Sequence, residues 1–315
     1  MTRKSVLALI SMAIVASVGC GKALSVLAPS DHSNSSNDVV ASVRNNWSRY
    51  LVIHDTGEVK EGYRDILTRL VQAGSLKGVR VGIDQTNING LTNGVINTLG
   101  LDALGVIDNL FLFEPNIEDR IDQIFRNHPT IRYFQVGNEI TTILPKSGPT
   151  MTIEEYMKVF KRVYDHVQRN HPNRAMLLVQ PAIGSGTSGA REIDRMIELG
   201  LKEMSPDKII ISFNCYTVSA SNGYRDVLDG SLRDYRVWVT ETGVADYNEH
   251  ISFVVNDYAR LANNLRPERI YWYALFVGDG EYGWETGFGL VRNLKDFPRL
   301  DYWRSPLVKV LIGEN

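Results

Sequence analysis

The chain has 315 residues, of which 43% are hydrophobic and 22% charged, the composition of an ordinary globular protein that can bury a large core. Its formal net charge of -2 provides no clustered basic excess, which excludes nucleic acid as an expected partner. This length fits two ordinary domains, or a leader followed by one α/β barrel of about 250 residues.

The amino-terminal segment, residues 1–20, has the build of a secretory signal. Two basic residues precede an apolar run from Val6 to Val18 that is too short for a full membrane span. The segment ends in Ser-Val-Gly-Cys20, which resembles a bacterial lipoprotein cleavage box in which Cys20 receives the lipid. We expect an exported lipoprotein of the bacterial cell envelope, tethered to the membrane through Cys20. Cleavage to a soluble periplasmic or secreted protein is the alternative.

Residues 21–44 are predicted to form a polar tether. The stretch from Ala28 to Asp38 consists largely of Ser, Asn and Asp and has little to bury. If Cys20 carries a lipid, Cys215 is the one remaining cysteine of the sequence, so no internal disulfide is expected. Residues 45–315 then form the catalytic domain.

From residue 45 onward, strand-like and helix-like stretches alternate, a pattern typical of βαβ units and a parallel sheet. Strands are predicted at 50–54, 78–84, 106–113, 131–138, 175–181, 208–214, 236–240 and 269–275. Helices are predicted at 60–74, 92–103, 117–127, 153–170, 189–201, 224–232, 250–264 and 299–312. Eight such pairs predict an α/β fold, a single-domain (β/α)8 TIM barrel.

Two Arg-Asn-His-Pro sequences, at 126–129 and 169–172, each close a predicted helix before a strand. Proline cannot continue a helix, and basic side chains are favourable at the carboxyl end of the helix dipole. We therefore interpret His128 and His171 as structural residues of these helix ends.

Two strand-like runs end in a glutamate close to a glycine. One ends in Gly-Asn138-Glu139, and the other ends in Glu241-Thr-Gly. Because the carboxyl ends of barrel strands meet at one rim, we expect both glutamates at one cleft. Carboxyl groups about 5 Å apart suit retaining cleavage of a glycosidic bond, whereas either glutamate alone is as readily a helix cap or a surface charge.

Alternation along the strands separates inward from outward side chains. It predicts Phe134 and Val136 as core residues. It also predicts that Val239 and Glu241 share the inner face, so that Trp238 packs outward against the helices.

At the two glutamate motifs the chain resembles the glycoside hydrolases of clan A. These are retaining enzymes on a (β/α)8 barrel, whose acid/base follows an asparagine after strand four and whose nucleophile ends strand seven. The resemblance implies that Glu139 is the acid/base and Glu241 the nucleophile, with Asn138 contacting a sugar hydroxyl. Within the clan, the motifs look most like those of β-1,3-glucanase and β-1,4-galactanase relatives.

The resemblance covers roughly residues 45–312 and implies further substrate-binding residues. Arg80 and Tyr216 match residues that support the nucleophile, and Trp272 matches the tryptophan that floors the sugar subsite. Asn214 stands where many members have histidine, on the leaving-group side. The alternatives are a barrel ion pair for Arg80 and core positions for the two aromatic side chains.

The loop after the eighth predicted strand carries Trp284 among several glycines, and we expect this indole to contact sugar. The six histidines show no metal-ligand spacing, and no strand is followed by a phosphate-binding or dinucleotide motif. Neither a metal nor a cofactor is therefore expected.

The sequence thus predicts a retaining glycoside hydrolase that cleaves β-glycosidic bonds in a poly- or oligosaccharide by double displacement. The alternative is a non-catalytic carbohydrate-binding lipoprotein on a TIM-barrel scaffold, but a pure binder needs neither Glu139 nor Glu241. Aldolase or dehydrogenase chemistry needs a Schiff-base lysine or a cofactor signature at a strand end, and the sequence shows neither.

Overall fold

The computed structural model describes residues 36–53, 61–85, 93–141, 149–174, 176–179, 186–275, 285–291 and 304–314. The predicted leader with Cys20, most of the predicted tether, and Trp284 lie outside these ranges. Among the residues described, no helix combines the length and the apolar character needed to cross a bilayer.

The described strands form one parallel sheet. They are β1 (Tyr50–Val52), β2 (Gly78–Ile83), β3 (Asp102–Ile107), β4 (Tyr133–Val136), β5 (Met176–Val179), β6 (Ile209–Asn214), β7 (Arg236–Thr242) and β8 (Arg269–Trp272). Neighbouring strands pair in chain order, and β8 pairs back onto β1. The predicted parallel sheet with intervening helices is confirmed, and its curl brings the carboxyl ends of all these strands to one rim.

Helices lie between the strands of this sheet. They are α1 (Ser36–Asn46), α2 (Glu61–Gln72), α3 (Asn93–Leu99), α4 (Ile117–Asn127), α5 (Ile153–Asn170), α6 (Gly186–Glu198), α7 (Val218–Asp229), α8 (His250–Ser252), α9 (Tyr258–Leu265) and α10 (Pro306–Ile312). A π-helical segment, Phe253–Asp257, joins α8 to α9. His128 and His171 directly follow α4 and α5, so the two Arg-Asn-His-Pro sequences do end helices.

β3 begins earlier than predicted. The sequence predicts it at 106–113, whereas the strand runs from Asp102 to Ile107. The segment Asn109–Phe113 forms a 3-10 helix instead. The Asp108 carboxylate accepts the backbone N–H of Leu110 at 2.7 Å. This side-chain cap turns the apolar run out of the strand, because it gives the backbone a local partner in place of a neighbouring strand.

α1 occupies positions that the sequence placed in the tether. Val43 in this helix is fully buried, and Trp47 just beyond it stacks on Tyr258 with ring centroids 6.1 Å apart. These contacts make Ser36–Asn46 part of the folded body, so a tether reaching residue 44 is wrong for the residues from Ser36 onward.

Two groups of buried apolar side chains lie on opposite faces of the sheet. The larger group fills the space between strands and helices and includes Phe134 and Val136, as predicted. Five members of the smaller group lie on strands, at positions that face away from the helices, so this group lies inside the curled sheet. Its members are Val52, Leu104, Ile210, Trp238, Tyr271, Ala274 and Phe288.

Trp238 lies inside the sheet, so the prediction that it faces the helices is wrong. The pairing of β6 with β7 is regular up to Val239, after which Asn214 pairs with Glu241. Thr240 is therefore an extra residue in β7. A β-bulge of this kind breaks the alternation of side chains, which lets Trp238 and Glu241 share the inner face.

Arg269, the first residue of β8, is surrounded by aromatic rings at the amino-terminal end of the interior. Its guanidinium carbon lies 4.1 Å from the ring centroid of Trp238, 4.5 Å from that of Tyr133 and 4.9 Å from that of Tyr50. It also forms an ion pair with Asp102 at 2.6 Å. A cation over a ring face is attracted by the ring quadrupole, and the attraction strengthens when water is excluded.

A double-mutant cycle tests the inward position of Trp238. We expect Trp238→Leu and Arg269→Met to show a coupling free energy of about 1–2 kcal/mol in unfolding measurements, because the pair is desolvated. The matched pair Trp238→Leu and Arg195→Met joins residues on different parts of the fold and should be additive. Additivity for Arg269 as well would contradict the inward position.

Cys215 faces the helices and is fully buried, as strand alternation predicts. Burial raises the pKa of its thiol to about 12. Because the thiolate is the reactive form, the folded protein presents far less of it at any mildly alkaline pH than an ordinary cysteine does.

We therefore expect a Cys20→Ser variant to resist a bulky disulfide reagent until it is unfolded in urea, and then to release one equivalent of chromophore per chain. Rapid reaction of the folded variant would place Cys215 on the cleft side.

Candidate active site

Glu139 and Glu241 lie at the carboxyl ends of β4 and β7. Glu241 is the penultimate residue of β7 and is only 6% exposed, whereas Glu139 follows β4 and is half-buried. A network of side chains from four strands connects the two carboxylates. The structure therefore brings together residues that lie far apart in the sequence.

Arg80 of β2 is the centre of this network. Its Nη1 pairs with Glu241 Oε1 at 2.8 Å, its Nη2 donates to Asn138 Oδ1 at 2.7 Å, and its Nε donates to Gln135 Oε1 at 3.1 Å. Both charged side chains of the ion pair are more than nine-tenths buried. All three guanidinium nitrogens thus have a partner, as a buried cation requires.

Asn138 is fixed from both sides. Asn109, in the 3-10 helix after β3, accepts the Asn138 backbone N–H and donates to the Asn138 carbonyl oxygen, both at 2.8 Å. Gln135 Nε2 donates to Gly137 O at 2.8 Å and to Asn138 Oδ1 at 3.1 Å. The chain after β4 is therefore held in one conformation just before Glu139.

Tyr216 and Asn214 each contact one glutamate. The Tyr216 hydroxyl donates to Glu241 Oε2 at 2.6 Å, and Asn214 Nδ2 donates to Glu139 Oε1 at 2.5 Å. Thr240, the bulge residue, donates its hydroxyl to Asn214 Oδ1 at 3.0 Å. The amide of Asn214 is thereby oriented with its donor toward Glu139.

The Tyr216 hydroxyl stays protonated. Burial raises its pKa well above the usual value, and the nearby carboxylates of Glu241 and Glu139 raise it further. Because a phenolate beside two carboxylates is unfavourable, this hydroxyl acts as a hydrogen-bond donor over the whole neutral range.

Trp272 does not lie at this site. Its indole is fully buried on the helix side of β8, with ring centroids 4.9 Å from His250 and 5.8 Å from Phe253, and its Nε1 donates to the Phe288 carbonyl oxygen. The predicted role as a sugar-subsite floor is therefore wrong, and the alternative of a core aromatic holds. Alternation places the next residue, Tyr273, on the cleft side.

Tyr273 belongs to the same aromatic wall as Tyr216 and Phe288. The Tyr273 ring lies edge-on to both, with centroid distances of 6.4 Å to Tyr216 and 5.8 Å to Phe288. The wall stands beside Glu241, since Tyr216 also holds that carboxylate. An apolar ring face next to a carboxylate is a suitable surface for a pyranose ring.

Four supporting residues of the site escaped the sequence analysis: Asn109, Gln135, Thr240 and Tyr273. Strand alternation puts Gln135 on the inner face with Glu139, which is a signal that could have identified it. Asn109 lay within a mispredicted strand, and Thr240 contributes only because of the bulge. Tyr273 directly follows Trp272, the residue that the sequence analysis assigned to the sugar subsite.

The backbone between β4 and Glu139 is conformationally demanding. Gly137 has φ of 76° and Glu139 has φ of 50°, both in the left-handed region. A Cβ atom at Gly137 would lie 2.8 Å from Leu112 Cδ1 and 3.1 Å from Asn109 Oδ1. Only glycine combines this φ with so close an approach, whereas Glu139 adopts a strained conformation of the type that is common at functional sites.

The comparisons with known proteins concern the fold. No protein-family model matches the chain, and no curated protein matches its sequence. Solved structures do match, and all those named here are glycan-cleaving enzymes. An endo-beta1,6-glucanase has a TM-score of 0.62 at 10% identity, with 84% of this chain and 76% of that chain covered.

Two others resemble the chain to a similar extent. An endo-laminarinase from Formosa has a TM-score of 0.52 at 13% identity, covering 78% of this chain and 84% of that chain. The catalytic domain of GH30 xylanase C from Talaromyces cellulolyticus has a TM-score of 0.53 at 9% identity, covering 84% and 74%. The chain therefore shares the curled parallel β/α-barrel fold of glycoside hydrolases.

Gly137→Ala tests whether the turn before Glu139 is specified by its glycine. We expect a loss of about 1–3 kcal/mol in the free energy of unfolding, because the alanine combines an unfavourable φ with a steric contact. Gly82→Ala is the matched control, since a Cβ there has nothing within 4 Å. Equal stability of the two variants in chemical denaturation would show that the turn is not constrained in this way.

Proposed function

We propose that this protein is a retaining glycoside hydrolase on a single-domain (β/α)8 barrel, cleaving β-glycosidic bonds in a poly- or oligosaccharide. The observation that carries the proposal is the different environment of two glutamates that one hydrogen-bond network connects. Glu241 is buried against Arg80 and Tyr216, whereas Glu139 is half-buried and accepts a bond from a neutral amide. Double displacement needs such a pair, one carboxylate ionised and one able to carry a proton.

Glu241 is the proposed nucleophile. Each of its oxygens accepts a bond from a strong donor, Arg80 on Oε1 and Tyr216 on Oε2. Both donors favour the ionised carboxylate, which is the form that attacks the anomeric carbon. When water breaks the glycosyl ester in the second step, the Arg80 charge stabilises Glu241 as the leaving carboxylate.

Glu139 is the proposed acid/base. In the first step it gives its proton to the departing oxygen, and in the second it takes a proton from the attacking water. Asn214 Nδ2 donates to Glu139 Oε1 and so fixes the orientation of this carboxyl group. The mechanism requires the carboxyl oxygens of the two residues to lie about 5 Å apart.

Asn138 is the proposed contact to a sugar hydroxyl beside the reacting carbon. Its Oδ1 accepts hydrogen bonds from Arg80 and Gln135, which hold the side-chain amide in one orientation. A hydrogen bond to that hydroxyl strengthens as positive charge develops on the sugar ring. Tyr273 takes the place first assigned to Trp272, and Trp284 remains a proposed sugar contact.

The substrate class is tested by incubating the full-length protein with a panel of β-linked glucans, galactans and xylans. Mass analysis of the products identifies the glycan that is cut, and proton NMR of the first products identifies the anomer. A retained β-anomer supports double displacement, whereas an initial α-anomer contradicts it. The panel is broad because the three enzymes whose structures resemble this chain are named for different glycans.

Glu241→Ala and Glu139→Ala should fail in different ways. Without the nucleophile no glycosyl-enzyme forms, so we expect loss of activity on every substrate. Without the proton donor, cleavage of the natural glycan should fall by about 10²–10⁴-fold. A dinitrophenyl glycoside, whose phenol leaves unassisted, should still form the covalent intermediate in Glu139→Ala.

Azide distinguishes the two roles, because it attacks without a general base. It should restore turnover of Glu139→Ala and give a β-glycosyl azide. Rescue of Glu241→Ala as an α-azide would exchange the two assignments. Glu249→Ala, an exposed glutamate after β7, is the matched control and should retain wild-type rates. Full activity in all three variants would show that neither glutamate takes part in cleavage, whereas glycan binding without cleavage by the wild type would leave a carbohydrate binder as the remaining interpretation.

A further inference from the structure

A second group of titratable side chains lies far from the glutamates, at the carboxyl ends of α4 and α5. Asp122 projects from α4, His166 from the last turns of α5, and His171 is the residue directly after α5. Helices of this fold run opposite to the strands, so their carboxyl ends lie at the amino-terminal face of the sheet. The group is therefore on the face opposite the candidate active site.

The three side chains converge on one point. His166 Nε2 and His171 Nε2 each lie 2.7 Å from the same atom, Asp122 Oδ1. One ligand-type atom from each residue lies within 4.8 Å of the others. Two imidazoles and one carboxylate are a donor set that zinc and related ions bind, with the remaining coordination position taken by water.

The spacing is close to that of a coordination sphere. Bonds of about 2.0–2.2 Å in a tetrahedral site place ligand atoms about 3.4 Å apart. The two present contacts of 2.7 Å would each have to lengthen by about 0.7 Å, which small side-chain rotations provide. Asp122 and His171 keep 38% and 27% of their side chains exposed, so a hydrated ion can reach them.

Neighbouring side chains already fix the two rings. Asn170 Nδ2 lies 3.0 Å from His166 Nδ1, and rotation of its amide would present an oxygen to an Nδ1–H instead. Metal-bound histidines typically donate their second ring N–H to such an oxygen, which sets the tautomer. The His171 ring stands edge-on to Phe125 at a centroid distance of 5.2 Å.

We propose that Asp122, His166 and His171 form a binding site for a divalent transition-metal ion of the zinc type, which cross-links the carboxyl ends of α4 and α5. The sequence analysis expected no metal on the spacing of the histidines alone and did not consider an aspartate from another helix. Asp122 meets the two histidines only because α4 and α5 pack against each other. The site is independent of the proposed glycosidase activity.

Equilibrium dialysis of the chelator-treated full-length protein against Zn²⁺ tests the proposal. We expect one ion per chain at micromolar free Zn²⁺, with a rise in the thermal midpoint because the ion binds the folded state. Asp122→Asn and His171→Gln should each weaken binding by about a hundredfold or more, and Asn170→Ala by about tenfold. Co²⁺ should give the visible absorption bands of a low-coordinate site in the wild type and lose them in these variants.

Asp119→Asn is the matched control, since it removes an exposed carboxylate from the same helix and should bind Zn²⁺ as the wild type does. The far-UV circular dichroism of each variant shows that it is folded. The altered residues are partly exposed, and Asp122→Asn keeps the shape of the side chain. Failure of the wild type to bind Zn²⁺, or equal binding by Asp122→Asn and His171→Gln, would overturn the proposal.

Discussion

The buried ion pair between Arg80 and Glu241 is the interaction on which the interior of the protein depends. Removing two charges from water is unfavourable, and the attraction between them compensates only when the remaining donors and acceptors are also satisfied. Here Gln135 and Asn138 take the other guanidinium nitrogens, and Tyr216 takes the second carboxylate oxygen. β2, β4, β6 and β7 are therefore tied together by one polar cluster at the upper end of the sheet.

The lower end of the interior has a different composition. Arg269 is enclosed by the rings of Tyr50, Tyr133 and Trp238 and is neutralised by Asp102. These aromatic side chains belong to the buried group inside the sheet or pack against it. Arg80 and Glu241 are themselves more than nine-tenths buried, and a low local dielectric strengthens each hydrogen bond in the polar cluster.

The sequence was informative wherever a short-range pattern decides the structure. Alternation of strands and helices, the Arg-Asn-His-Pro helix ends and the paired glutamates all follow from residues close together in the chain. Arg80, Asn138, Asn214 and Tyr216, which were chosen by resemblance, lie together in the structure because each contacts the polar cluster. Their roles toward a sugar stay predictions.

The errors have physical causes that a local pattern does not contain. The orientation of Trp238 depended on one extra residue in β7, which shows only in the pairing with β6. The end of β3 depended on the cap formed by Asp108. The choice of Trp272 over Tyr273 followed from residue type, whereas the helix-side packing of the indole decides its position.

The bulge at Thr240 decides to which side of the sheet the Glu241 side chain points. Before this residue, β7 presents even-numbered side chains to the interior, and after it the phase is inverted. If β7 paired with β6 without this bulge and kept all its residues, the Glu-Thr-Gly sequence would be unchanged but the carboxylate would face the apolar helix layer. Related proteins without the bulge would therefore have the same Glu-Thr-Gly motif as those with it. Asn214, which pairs with Glu241, depends on the bulge, because the hydroxyl of Thr240 orients its amide.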